Sequence, residues 1–107
     1  MKIAVWNIEA MTGYKPKTTF FEDFSIADNF GIAAVKDTFK RGFETARFMG
    51  YEYLTEFVMV LNWKIWQHYD KNEALVRVYN TLWEQAAEYA ENNLQGEELA
   101  YYYSTTD

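Results

Sequence analysis

Residues 51–70, YEYLTEFVMVLNWKIWQHYD, constrain this chain more than any other stretch. Almost every turn of that segment carries Leu, Val, Ile, Phe, Tyr or Trp on more than one side. A helix that is apolar on most of its faces must be wrapped by other elements. The segment therefore reads as the central post of a small helical domain, and the remaining residues as its wrapping.

With 107 residues the chain has the length of one domain and one core. Aromatic residues make up 20% of it, and each buried ring can remove roughly 150–250 Å² from water. Such a core needs neither metal nor disulfide. The chain has no cysteine, which excludes a disulfide framework, a thiolate zinc site and a cysteine nucleophile. The opening run MKIAVWNIEA is too short for a secretory signal and is ended by Glu9. No apolar run approaches the ~20 residues of a transmembrane span. The expectation is a cytoplasmic protein that does not engage a membrane.

Charge is unevenly distributed. Residues 1–20 hold Lys2, Lys15 and Lys17 against Glu9, and residues 21–71 are mildly acidic. Residues 72–107 hold Glu73, Glu84, Glu88, Glu91, Glu97, Glu98 and Asp107 against Arg77 alone, which matches the formal net charge of the whole chain, −6. A sequence pI near 4.7 argues against direct nucleic-acid binding, which requires a basic footprint, and favours a basic protein partner.

Around the post, the pattern predicts an all-α fold: a small antiparallel bundle of three long helices with short terminal helices. Residues 1–20 form an N-terminal arm and loop, and residues 21–107 the helical domain. KIAVWNI, residues 2–8, alternates loosely and reads as a single strand or extended arm that packs on the helices or reaches another subunit. Ser25 to Asp28, SIAD, has the form of a helix start. Ile32, Val35, Phe39, Phe43 and Ala46 follow helical spacing, and Gly50 reads as a stop. The post ends near Asp70, and Asn72 reads as the N-cap of a helix over residues 73–94. Its core face is Leu75, Val78, Tyr79, Leu82, Ala86, Tyr89 and Ala90. A last short helix covers residues 97–103, with Glu97 and Glu98 in its first turn.

Four constellations bear on function. His68, the only histidine, could serve as a general base or a metal ligand. The Glu-x-x-His pattern of helical di-metal sites fails, because Ile65 stands three positions earlier. A structural role near the helix end is favoured, and neither a metal nor a cofactor is expected. Trp63, Trp66 and Tyr69 lie one turn apart and, with Trp83, read as an aromatic cluster in the core or a helix–helix seam rather than a base-stacking platform. Glu84, Glu88 and Glu91 stack on one helix face, where like charges cost about 0.2–0.5 kcal/mol per pair. Together with Glu97 and Glu98 they form either a solvated face or a surface for a basic partner. Tyr101, Tyr102 and Tyr103 point in three directions, so at least one is exposed; Tyr101 and Tyr102 are taken as partner contacts. No Gly-rich phosphate loop, nucleophile elbow or HExxH is present, and no enzymatic activity is expected.

The runs FEDFSIADNFGIAAVKDTFKRGF (residues 21–43), YEYLTEFVMVLNWKIWQHYD and LQGEELAYYYSTTD resemble a group of small acidic helical proteins encoded on conjugative elements and phages of gut bacteria. The resemblance covers residues 21–107. It implies a context rather than a chemistry: an accessory factor of a mobile element, such as an inhibitor of a nucleic-acid-binding host defence protein. A self-associating structural homodimer and a small-ligand binder or enzyme using His68 are the alternatives.

Overall fold

The computed structural model describes residues 16–106, and the arm expected over residues 2–8 lies outside them. Five helices follow one another: α1 Phe20–Asp28, α2 Ile32–Met49, α3 Tyr51–His68, α4 Glu73–Asn93 and α5 Glu97–Thr106. Among the described residues there is no strand.

The central helix is α3, which packs against each of the other four. Leu54 to Leu61 are buried without a break, which is the wrapping that an all-round apolar helix requires. At its middle sits Phe57, fully buried. Its ring lies 5.0 Å from Phe20, 5.9 Å from Phe24, 5.5 Å from Phe39 and 5.8 Å from Phe43. One side chain thus joins the aromatic rows of α1 and α2. The seam between α2 and α3 depends on Gly42, where an added Cβ would stand 2.7 Å from the Phe57 ring. No side chain fits there without a shift of the ring.

The joints follow from local chemistry. Gly50 ends α2, donating its N–H to Ala46, and its carbonyl accepts from Tyr53 and Leu54 at the start of α3. Its φ of 113° is open to glycine alone, so one residue makes the whole connection. Asn72 caps α4 as expected, its side chain accepting from the Leu75 N–H.

Three boundaries differ from expectation, one being that α5 runs on to Thr106, past the expected end at residue 103. α1 begins at Phe20, not at Ser25. Phe20, Phe24 and Ala27 form its buried face with spacings of four and three, and Ser25 lies inside the helix with its hydroxyl turned to α3. α3 stops at His68, because Tyr69 is extended and Asp70 takes a left-handed conformation, φ 65°, that aspartate tolerates better than most residues.

Candidate functional site

Two charged residues, Glu56 and Lys64, interrupt the apolar run of α3, and both are buried. A buried charge must be paired and hydrogen-bonded to be tolerated. The Lys64 ammonium has three donors and three acceptors around it: Asp28 Oδ2 at 2.7 Å, Ser25 Oγ at 3.0 Å and Gln67 Oε1 at 2.5 Å. The ring of Phe21 lies 4.8 Å from it.

Asp28, at the end of α1, is the hub. Its Oδ2 accepts from Lys64 and from His68 Nε2 at 2.8 Å, and its Oδ1 accepts from the Tyr79 hydroxyl at 2.5 Å. The His68 and Tyr79 rings stack at 5.8 Å. Burial pushes the Asp28 carboxyl up, but the donors His68, Lys64 and Tyr79 and the Lys64 charge outweigh it and hold it below the ordinary value. Burial draws the Lys64 ammonium down, with Asp28 opposing. Burial, then the adjacent Asp28, pushes the Tyr79 phenol up. The cluster ties α1, α3 and α4 together, and His68 spends its Nε2 on Asp28.

Glu56 holds the chain that leads into α1. Its carboxylate accepts from the backbone N–H of Lys17 at 2.8 Å, the N–H of Thr18 at 3.0 Å and the Thr18 hydroxyl. Sequence reasoning missed Glu56, Lys64, Asp28 and Ser25 as a set. Isolated charges within an otherwise apolar helix were the available signal.

The acidic residues lie elsewhere. Glu84, Glu88 and Glu91 on α4 and Glu97 and Glu98 on α5 are all exposed. Of the other surface acids, Asp37 pairs with Arg41 at 3.0 Å, Glu73 with Arg77 at 3.5 Å and Glu52 with Lys17 at 3.6 Å, while Glu22, Asp23, Glu44 and Asp70 form no ion pair among the described residues. Among the described residues, none of the five has an ion-pair partner. They do not converge either: among the described residues no group of three or more His, Asp or Glu side chains could hold a metal ion.

The tyrosine run divides by its helical positions. Tyr101 is half-buried, its ring 5.2 Å from Tyr51; Tyr102 is buried; Tyr103 is exposed. Tyr102 is therefore a core residue and not a surface contact, because a turn of α5 that packs on α3 must turn one of three consecutive rings inward.

The aromatic cluster also divides. Trp63 and Trp83 are partly buried against the core. Trp66 is 64% exposed and Tyr69 56%, their rings 5.8 Å apart, so neither lies in the core. Trp66 stands two residues beyond Lys64, about 200° around the helix. Turning Lys64 toward α1 leaves Trp66 facing outward.

No helix among the described residues is long and apolar enough to cross a membrane. No family model matches this chain, and neither does any curated protein or solved structure.

Proposed function

We propose that this chain is a non-enzymatic protein-binding module whose acidic α4–α5 edge meets a basic partner. One observation carries the reading: the five carboxylates of α4 and α5 are all exposed with no cation beside them among the described residues, in a stretch of sequence that holds no Lys or Arg after Arg77. Repulsion between Glu84, Glu88 and Glu91 costs about 0.2–0.5 kcal/mol per pair, and a basic surface would relieve it on binding. Complementary charge would speed encounter and make capture salt-sensitive. Exposed Tyr103 and half-buried Tyr101 lie on the same helix as Glu97 and Glu98 and would add apolar contact.

The reading takes α2, α3 and α4 as an antiparallel bundle, which the one-residue joint at Gly50 and the short turn after His68 support. It takes the protein to work in the cytoplasm as an accessory factor of a mobile element. A nucleic-acid-binding protein of host defence is a fitting partner, since its basic surface would be blocked by carboxylates standing where phosphates bind. That part rests on the resemblance alone.

The test is capture of partner from lysate of the source organism by the tagged chain and by its Glu84→Lys/Glu88→Lys/Glu91→Lys variant. Loss of a stoichiometric partner with helical content intact is the expected result. Undiminished capture by the variant contradicts the reading.

The exposed Trp66–Tyr69 pair and Phe48, 87% exposed, favour a second reading, a homodimer. Sedimentation across a concentration series separates the two: a monomer at micromolar concentration removes the dimer.

A further inference from the structure

The seam between α2 and α4 is filled at one end and open at the other. At the filled end Phe43 of α2 meets Tyr89 of α4, ring centroids 5.4 Å apart, and the Arg47 guanidinium lies over both, at 4.6 and 5.5 Å. Toward the start of both helices the same seam opens into a cleft of about 430 Å³. Its apolar lining is Phe39 of α2 with Val78 and Leu82 of α4. Lys36 and Arg77 line it from opposite helices, and Thr81 and Gln85 add a hydroxyl and an amide. An apolar surface with a few polar groups that fix orientation is the make-up of a small-ligand site.

The charges of the lining share one sign: Lys36 and Arg77 are cationic and no lining residue is acidic. Lys36 has no ion-pair partner among the described residues. Asp37, its neighbour in sequence, lies in the groove between α1 and α2 and pairs there with Arg41 at 3.0 Å. Lys40, one turn beyond Lys36, also forms no ion pair among the described residues, so positive charge continues along α2. Arg77 meets Glu73 at 3.5 Å, an exposed contact that leaves most of the five guanidinium N–H donors for another acceptor. Glu84, next to Gln85 in sequence, is exposed and outside the lining.

We propose that the α2–α4 cleft binds a small amphiphilic carboxylate, its apolar body on Phe39, Val78 and Leu82 and its head group held by Lys36 and Arg77. A guanidinium can take a carboxylate through two parallel N–H bonds, and a lysine adds a compact charge. The apolar body occupies at this end of the seam the place that Phe43 and Tyr89 fill at the other. An ammonium on the same body meets two like charges, and a carboxylate without a body buries no apolar area. The site is independent of the acidic edge, because none of Glu84, Glu88, Glu91, Glu97 and Glu98 lines the cleft.

The test is a titration of the isotope-labelled full-length protein with octanoate, followed by NMR, with octylammonium and acetate as controls. Octanoate should shift the methyl signals of Val78 and Leu82 and the side-chain amide of Gln85 to saturation. Octylammonium and acetate at the same concentrations should leave those signals in place. The Lys36→Gln/Arg77→Gln variant should bind octanoate about tenfold more weakly. Both side chains are exposed, so its circular dichroism should match wild type. Three results overturn the proposal: no saturable shift of those signals with octanoate, equal shifts with octylammonium, or wild-type octanoate affinity in the double variant.

Discussion

The two halves of α4 use charge in opposite ways. Its N-terminal half lends Tyr79 to a closed cluster in which Asp28, Lys64, Ser25, Gln67 and His68 satisfy one another. Its C-terminal half presents Glu84, Glu88 and Glu91 to water, with no cation beside them among the described residues. The first arrangement is costly to break, because removing one partner strands a buried charge. The second is nearly indifferent to substitution as far as folding goes. A group whose removal leaves the fold intact is free to be shaped by a partner.

The largest expected effect tests the closed half. Asp28→Ala leaves the Lys64 ammonium buried without its counter-ion and should lower unfolding stability by about 3–5 kcal/mol in urea titrations. A loss no larger than that of a surface substitution would erase the contrast between the two regions.

Acid should act on the same group. The folded-state carboxyl of Asp28 lies below its ordinary 3.8, so its stabilisation is fully present above that value. It disappears as pH falls from there through the lower folded value, where the unfolded chain binds the proton more readily. Equilibrium unfolding followed from pH 6 downward should show this as a steep loss below the ordinary carboxylate range, and Asp28→Asn should flatten it.

The interior also holds one exception to its own rule. Thr55 Oγ1 is buried with no hydrogen-bond partner among the described residues. Thr55→Val keeps the shape and removes the stranded hydroxyl, so it should raise stability by about 1 kcal/mol. A destabilised Thr55→Val would mean that the hydroxyl is satisfied after all.

The smallest effect belongs to the acidic half. Glu88→Lys converts its two like-charge neighbours, Glu84 and Glu91, into i,i+4 and i,i+3 attractions. It should add about 0.5 kcal/mol to thermal stability while weakening partner capture. Stability and binding moving in opposite directions would sharpen the distinction; both falling would blur it.

Much of the helical frame was legible in the sequence because its signals are local. The all-round apolar run of α3, the spacing from Val35 to Ala46, the Asn72 cap and the buried face from Leu75 to Ala90 each depend on residues within one element. The early start of α1 was legible too, in Phe20, Phe24 and Ala27, but the more familiar cap pattern at Ser25 masked it. The polar cluster was not legible. Asp28 and Lys64 are 36 positions apart, and only the packing of α1 on α3 brings them within 2.7 Å. Glu56 meets Lys17 and Thr18 across a similar separation. For Tyr102 and Trp66 helical spacing gave the face correctly relative to its neighbours. It could not say which face the rest of the chain would cover.

The most direct test of the contrast is partner capture by three chains at low and moderate salt: wild type, Glu84→Lys/Glu88→Lys/Glu91→Lys, and His68→Gln. The account predicts that His68→Gln captures as wild type does, that captured partner elutes as salt rises, and that the triple variant captures none. Capture retained by the triple variant but lost in His68→Gln would contradict it and move the functional centre to the buried cluster.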